Sequence, residues 1–150
     1  MAERTQGGGN VVVGVDGSPS SRAAAQWAAD YAEQIGGVLT LVAAWDWTQS
    51  YGWAVPLPSD YNPEEDAHRL VDEVARELGH EHPGLRIEAR TAQGHPAPVL
   101  VDASNDAALL VVGSRGHGEF TGMLLGSVSE HCVTHAHCPV LVLRTEKPAS

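Results

Sequence analysis

Glycine crowds the stretch VVGSRGHGEFTGMLLGSVS, residues 111–129. Gly113 ends an apolar run, Gly116 and Gly118 follow at once, and Gly126 stands directly before Ser127. Backbone of this kind suits an anion. A helix beginning at Ser127 would present unpaired N–H groups and the positive end of its dipole, and together these bind phosphate without a lysine. Gly126 would let a phosphate approach the backbone closely, and Ser127 would add a hydroxyl donor. Positive φ at Gly113 and Gly116 would turn further N–H groups toward the same point. Arg115 and His117 are the cations of the segment, and Ser114 and Gly118 complete it. A plain flexible connection would use the same glycines, so the segment alone leaves both readings open.

Two familiar phosphate motifs do not apply. There is no Gly-Lys-Ser/Thr, so a lysine-assisted phosphoryl transfer lacks its usual cation. The dinucleotide fingerprint needs different glycine spacing and a helix directly behind it. A second stretch, GVDGS at 14–18, places Gly14 and Asp16 after another apolar run. Asp-Gly-Ser is also good turn chemistry, so Asp16 by itself reads equally as a turn residue.

The elements that must position these residues follow from the apolar patterning. Residues 11–15 form a β-branched run without alternation, as expected of a strand buried on both faces. Ser18-Pro19 is an N-cap followed by proline at the first helical position. Ala24, Ala28, Tyr31, Ala32 and Ile35 then share one helical face, and Gly36-Gly37 ends the helix. Residues 38–44 are a second buried strand. Asn62-Pro63 opens a second helix, in which Glu65 can close a capping box and Ala67, Leu70, Val71, Val74 and Leu78 form the apolar stripe. LRIEART alternates and reads as a more exposed edge strand. A short helix at 96–104, a strand at 108–114, a helix at 127–135 and a strand at 139–144 complete the chain.

Strands alternating with helices imply a parallel sheet. The expected fold is a single doubly wound α/β domain with a five-stranded parallel sheet in the order 3-2-1-4-5 and helices on both faces. Residues 1–9 read as a disordered lead, 10–145 as the domain and 146–150 as a tail. Ligands of such sheets sit beyond the carboxyl ends of the strands, where the winding reverses. GVDGS and GSRGHG lie at two such ends.

On these residues the sequence resembles the universal stress proteins of the nucleotide-binding subgroup. Their motif is Gly, two residues, Gly, nine residues, then Gly-Ser or Gly-Thr. The chain reads Gly113-x2-Gly116-x9-Gly126-Ser127, and its VGVDGS opening and HAHCPVLVLR ending also match. The resemblance implies an adenine nucleotide, usually ATP with a divalent ion, here Mg²⁺ or Mn²⁺ held through the phosphates rather than by a protein metal site. It places Asp16 on the nucleoside, Gly14 as the small residue beside it, and the backbone of Ala44 at the adenine edge. Gly113, Gly116, Gly126 and Ser127 fall on the ribose and phosphate contacts. It also implies a homodimer through the fifth strand, a stress or signalling role, and an unidentified protein partner.

Other groupings read more plainly. HCVTHAHC sets His131 and His135 one helical turn apart with Cys132 and Cys138 nearby. Zinc would want four converging ligands, whereas histidines at a helix C-terminus complement its dipole. Trp45, Trp47, Tyr51 and Trp53 could wall a pocket, meet a partner or fold onto the domain. The acidic residues between Glu64 and Glu77 suit a solvated helix face. No catalytic triad or paired-carboxylate arrangement stands out, and no catalytic residue is assigned.

Composition sets the outer limits. The chain has 150 residues, 43% hydrophobic and 19% charged, with a formal net charge of -10 and only 9 Lys plus Arg. Nucleic acid and anionic membrane surfaces are disfavoured, because such binding rests on cations. The apolar runs are too short to span a bilayer, and the first ten residues have no apolar core. Two cysteines form no disulfide framework. A cytoplasmic, adenine-nucleotide-binding protein with little or no efficient catalysis is the expectation. The alternatives are an interaction module binding another ligand or none, and a slow metal-dependent ATP hydrolase.

Overall fold

The computed structural model describes residues 9–46, 62–114 and 125–144. Within them the chain runs β1 (Asn10–Gly14), α1 (Pro19–Ile35), β2 (Val38–Trp45), α2 (Pro63–Glu81), β3 (Arg86–Gln93) and α3 (Pro96–Ala103). A short 3₁₀ turn (Ser104–Asp106), β4 (Leu109–Gly113), α4 (Ser127–His135) and β5 (Val140–Leu143) follow. All neighbouring strands are parallel, and the sheet order is β3-β2-β1-β4-β5. This is the doubly wound order expected from the sequence. Trp47, Tyr51 and Trp53 lie outside the described residues, as do 1–8 and 145–150.

The two-faced burial follows from the strand period. Val11 and Val13 point to one face with Leu39, Leu41 and Val111, and α1 and α2 cover it. Val12 points to the other with Val42, Leu110 and Val112, beneath Leu100 of α3 and Cys132 of α4. Helix α1 lies close to the sheet because its inner face is alanine. Ala24, Ala25, Ala28, Ala29 and Ala32 are all buried.

Local signals set the helix boundaries. Ser18 Oγ accepts the Ser21 N–H at 3.1 Å and caps α1. Gly36 stops that helix in the left-handed conformation, φ 69°, which costs glycine nothing. Asn62 Oδ1 accepts the Glu65 N–H at 3.1 Å and caps α2. Beyond the end of α2, buried His82 reaches Glu33 at 2.8 Å and Asp30 at 3.2 Å, and so ties the two long helices together.

Strand boundaries shift by a residue or two from the sequence reading. Val15 leaves β1 but still donates to the Val42 carbonyl at 2.9 Å. The edge strand β3 has no fully buried residue, and its exposure does not alternate as LRIEART suggested. Its place at the end of the sheet, hydrogen-bonded to β2 alone, accounts for the exposure.

Candidate functional site

The winding reverses between β1 and β4. After β1 the chain crosses one face to reach β2, and after β4 it crosses the other to reach β5. A cleft opens there, beyond the carboxyl ends of both strands. Gly14, Val15 and Asp16 line it from β1, Val42 and Ala44 from β2, and Val112 and Gly113 from β4. Pro96 and Leu100 close it from α3, and Gly126, Val128 and Ser129 from α4. Five residues singled out from the sequence therefore meet in one place: Gly14, Asp16, Ala44, Gly113 and Gly126. Ser114 and Ser127 stand beside the cleft rather than on its wall. Arg115, Gly116, His117 and Gly118 lie outside the described residues.

The cleft is apolar along its floor and polar at one rim. Val42, Leu100, Val112 and Val128 supply the floor. Sequence reading missed these residues because a valine serving a ligand looks like any valine serving the core. The rim is the start of α4. Gly126 sits at the N-cap with φ -72° and ψ 169°, and no side chain caps the helix. The helix begins on the cleft wall, so the positive end of its dipole faces the opening.

Two of the site glycines have a different reason for being glycine. The expected left-handed turn at Gly113 is not found, since Gly113 is the last residue of β4 and its φ is not positive. A Cβ there would fall on the Ser20 hydroxyl and 2.9 Å from the Ser20 carbonyl oxygen. Gly113 thus lets the first turn of α1 rest on the end of β4. A Cβ at Gly14 would come within 2.7 Å of Leu100 Cδ1. Gly14 admits the α3 leucine that forms part of the floor.

Asp16 is held in a turn at the cleft mouth. Its Oδ1 accepts the Ser18 N–H at 2.9 Å and the Ser18 hydroxyl at 2.6 Å. Its own N–H donates to Ser21 Oγ at 3.2 Å. The turn chemistry read from Asp-Gly-Ser is present, and it also fixes Asp16 on the cleft wall. Gly17 makes the turn possible with φ 85°.

Ser114 joins three elements. Its N–H donates to the Leu143 carbonyl of β5 at 3.0 Å, and its carbonyl accepts the Gly126 N–H at 2.6 Å. The same carbonyl accepts Ser129 Oγ at 3.2 Å, and that hydroxyl also reaches the Gly126 carbonyl at 3.1 Å. The Gly126 N–H is therefore spent on holding the start of α4 in place.

Both thiols lie away from the cleft wall. Burial pushes Cys132 up to about 11. Burial also raises Cys138, opposed by a hydrogen bond to the Leu110 backbone. Among the described residues, no three His, Cys, Asp or Glu side chains gather to hold a metal ion, and no helix is long and apolar enough to cross a membrane.

A doubly wound α/β domain with a cleft at its switch point is an architecture that places ligands beyond the carboxyl ends of its strands. The particular family is shown by comparison. The model of the universal stress protein family matches residues 9–144. A universal stress protein of Mycobacterium tuberculosis is 39% identical over 143 residues, covering 91% of this chain and 48% of that protein. One of Mycolicibacterium smegmatis is 37% identical over 135 residues, covering 89% of this chain and 45% of that protein. Among solved structures, a universal stress protein in complex with cAMP superposes with a TM-score of 0.69 at 28% identity, covering 92% of this chain and 98% of the other. An Arabidopsis thaliana family member with AMP bound gives a TM-score of 0.68 at 23% identity, covering 92% of each chain, and shows the shared fold. The chain belongs to the universal stress protein family. It spans about half the length of the curated relatives it matches.

Proposed function

We propose that this domain binds an adenine nucleotide, ATP with Mg²⁺ or Mn²⁺, in the cleft between the ends of β1 and β4. The observation that supports it most is the meeting of Gly14, Asp16, Ala44, Gly113 and Gly126 around an apolar floor, with the uncapped start of α4 at one rim. The family member in complex with cAMP supports an adenine nucleotide as the ligand. In this reading the ring lies on the apolar floor with its edge at the Ala44 backbone, and Asp16 meets the nucleoside. The phosphates lie toward Ser127 and the first turn of α4, with Arg115, Gly116, His117 and Gly118 completing their surroundings. The divalent ion is carried by the phosphates and offsets repulsion between a polyanion and a net negative protein.

Binding rather than turnover is the role we assign, in a cytoplasmic stress or signalling setting, with an adenine nucleotide as the sensed ligand. Denaturing purified protein and identifying any released small molecule by mass tests the ligand class. Titration with ATP, ADP and AMP then ranks the candidates. Failure of all three to bind folded protein rejects the reading.

We also propose a homodimer through β5. That strand stands at the end of the sheet, and all four of its residues are only half-buried. Exposed edges of this kind invite pairing. Sedimentation at micromolar concentration should give a dimer that Val142→Lys weakens. A strictly monomeric wild type rejects this assembly.

A further inference from the structure

Helix α4 buries Ser129 and Cys132 and turns His131 and His135 outward. The two imidazole rings lie 4.4 Å apart between centres, tilted by 42°. They stand at i and i+4, the spacing at which two histidines on one helical face hold a metal. The ring separation says more than the spacing does. A metal about 2.0–2.1 Å from each nitrogen lies roughly 3.2 Å from each ring centre. With one nitrogen of each ring turned to a shared ion, ring centres 4.4 Å apart would subtend an angle of about 90° at the metal, the angle between adjacent positions of a square-planar or tetragonal site. A tetrahedral angle would need ring centres about 5.2 Å apart at the same bond length.

We propose that His131 and His135 form a bidentate site for divalent copper or nickel on the outer face of α4, separate from the nucleotide cleft. Imidazole suits these ions, and the ring separation fits their preferred tetragonal geometry. Zinc binds more weakly because the rings must spread. Mg²⁺ and Ca²⁺, which take oxygen ligands, do not bind here. Among the described residues no third His, Cys, Asp or Glu side chain converges with the pair, so water completes the coordination. The bridge spans the last turn of α4 and holds it helical. His137 is exposed just beyond the helix, where its N–H is tied to Ser104 Oγ at 2.9 Å, and it stays outside the pair.

The test uses the tag-free 150-residue chain without nucleotide. Ni²⁺ affinity is measured by calorimetry, and the Cu²⁺ complex is examined by pulsed electron paramagnetic resonance, which counts bound imidazoles. Wild type should show an axial Cu²⁺ signal with two imidazoles. His131→Gln and His135→Gln should each lose one imidazole and at least tenfold in Ni²⁺ affinity, and His137→Gln should change neither. Both substituted side chains are exposed, so the variants should keep the wild-type melting temperature in EDTA. An imidazole count and a Ni²⁺ affinity unchanged in both variants would overturn the site, as would a loss produced equally by His137→Gln. Neither result bears on nucleotide binding, which is measured separately with Mg²⁺.

Discussion

The carbonyl oxygen of Ser114 accepts the Gly126 N–H at 2.6 Å. This bond joins the two halves of the glycine motif and sets the start of α4 against the end of β4 at the edge of the cleft. Its neighbour, the Ser129 hydroxyl at 3.2 Å from the same carbonyl, is buried. Ser129→Ala removes that donor and should cost about 1–2 kcal/mol of stability, the range for a buried hydrogen bond. Urea denaturation checks this. The same variant should bind nucleotide more weakly, because the start of α4 is then held against β4 by the Gly126 N–H alone.

Gly113 and Gly14 should respond differently to a methyl group. At Gly113 the added Cβ meets Ser20 backbone, which cannot turn away. Gly113→Ala should destabilise the domain by about 1–3 kcal/mol, as overpacking does. At Gly14 the added Cβ meets the tip of Leu100, a flexible side chain. Gly14→Ala should cost less, and Leu100→Val should recover part of the loss in a double-mutant cycle. Chemical denaturation of the four variants decides it, and additive costs for Gly14→Ala and Leu100→Val would refute the contact.

Asp16 supports the fold, and in the proposed reading it also meets the ligand. Asp16→Ala deletes the acceptor for the Ser18 N–H and hydroxyl, and should cost about 1–2 kcal/mol through the start of α1. Ser18→Ala should give a similar loss of stability, since Ser18 caps that helix. The two should part company in calorimetry, where Asp16→Ala weakens nucleotide binding by more. Equal affinities in the two variants would confine Asp16 to the turn.

Cys132 sets a limit on alkaline stability. Its thiol rises from 9.0 to about 11 in the fold because burial disfavours the thiolate. Between these values the unfolded chain gives up the proton and the folded one keeps it. The contribution is therefore whole below about pH 9 and is lost as pH rises toward 11, by at most about 2–3 kcal/mol. Cys132→Ala should flatten the fall in stability over that window. In the native protein at neutral pH, alkylation should reach the half-buried Cys138 before the fully buried Cys132.

The architecture was legible because each signal was local. Ser18-Pro19 and Asn62-Pro63 start helices, Gly36 stops one, and unbroken valine runs mark central strands. Gly14, Asp16 and Gly113 were legible for the same reason, as polar or glycine positions at strand ends, Gly126 as a glycine before a helix start, and Ala44 only through the family resemblance. What the sequence hid were contacts between distant elements. Nothing in the chain order shows that Ser20 lies on Gly113 or Leu100 on Gly14, so both glycines looked like ligand contacts alone. The apolar floor was hidden because Val42 and Val112 continue the pattern of the core.

Nucleotide binding in the cleft is tested most directly by titrating ATP with Mg²⁺ into wild-type protein and into Gly126→Val by calorimetry. Gly126 is buried on the cleft wall with a backbone conformation open to any residue, so the variant should fold. A branched side chain there should obstruct the ligand. The expected result is one ATP per wild-type chain and an affinity at least tenfold weaker in a variant with the wild-type melting temperature. No binding to the wild type, or the same affinity in a folded Gly126→Val protein, would contradict it.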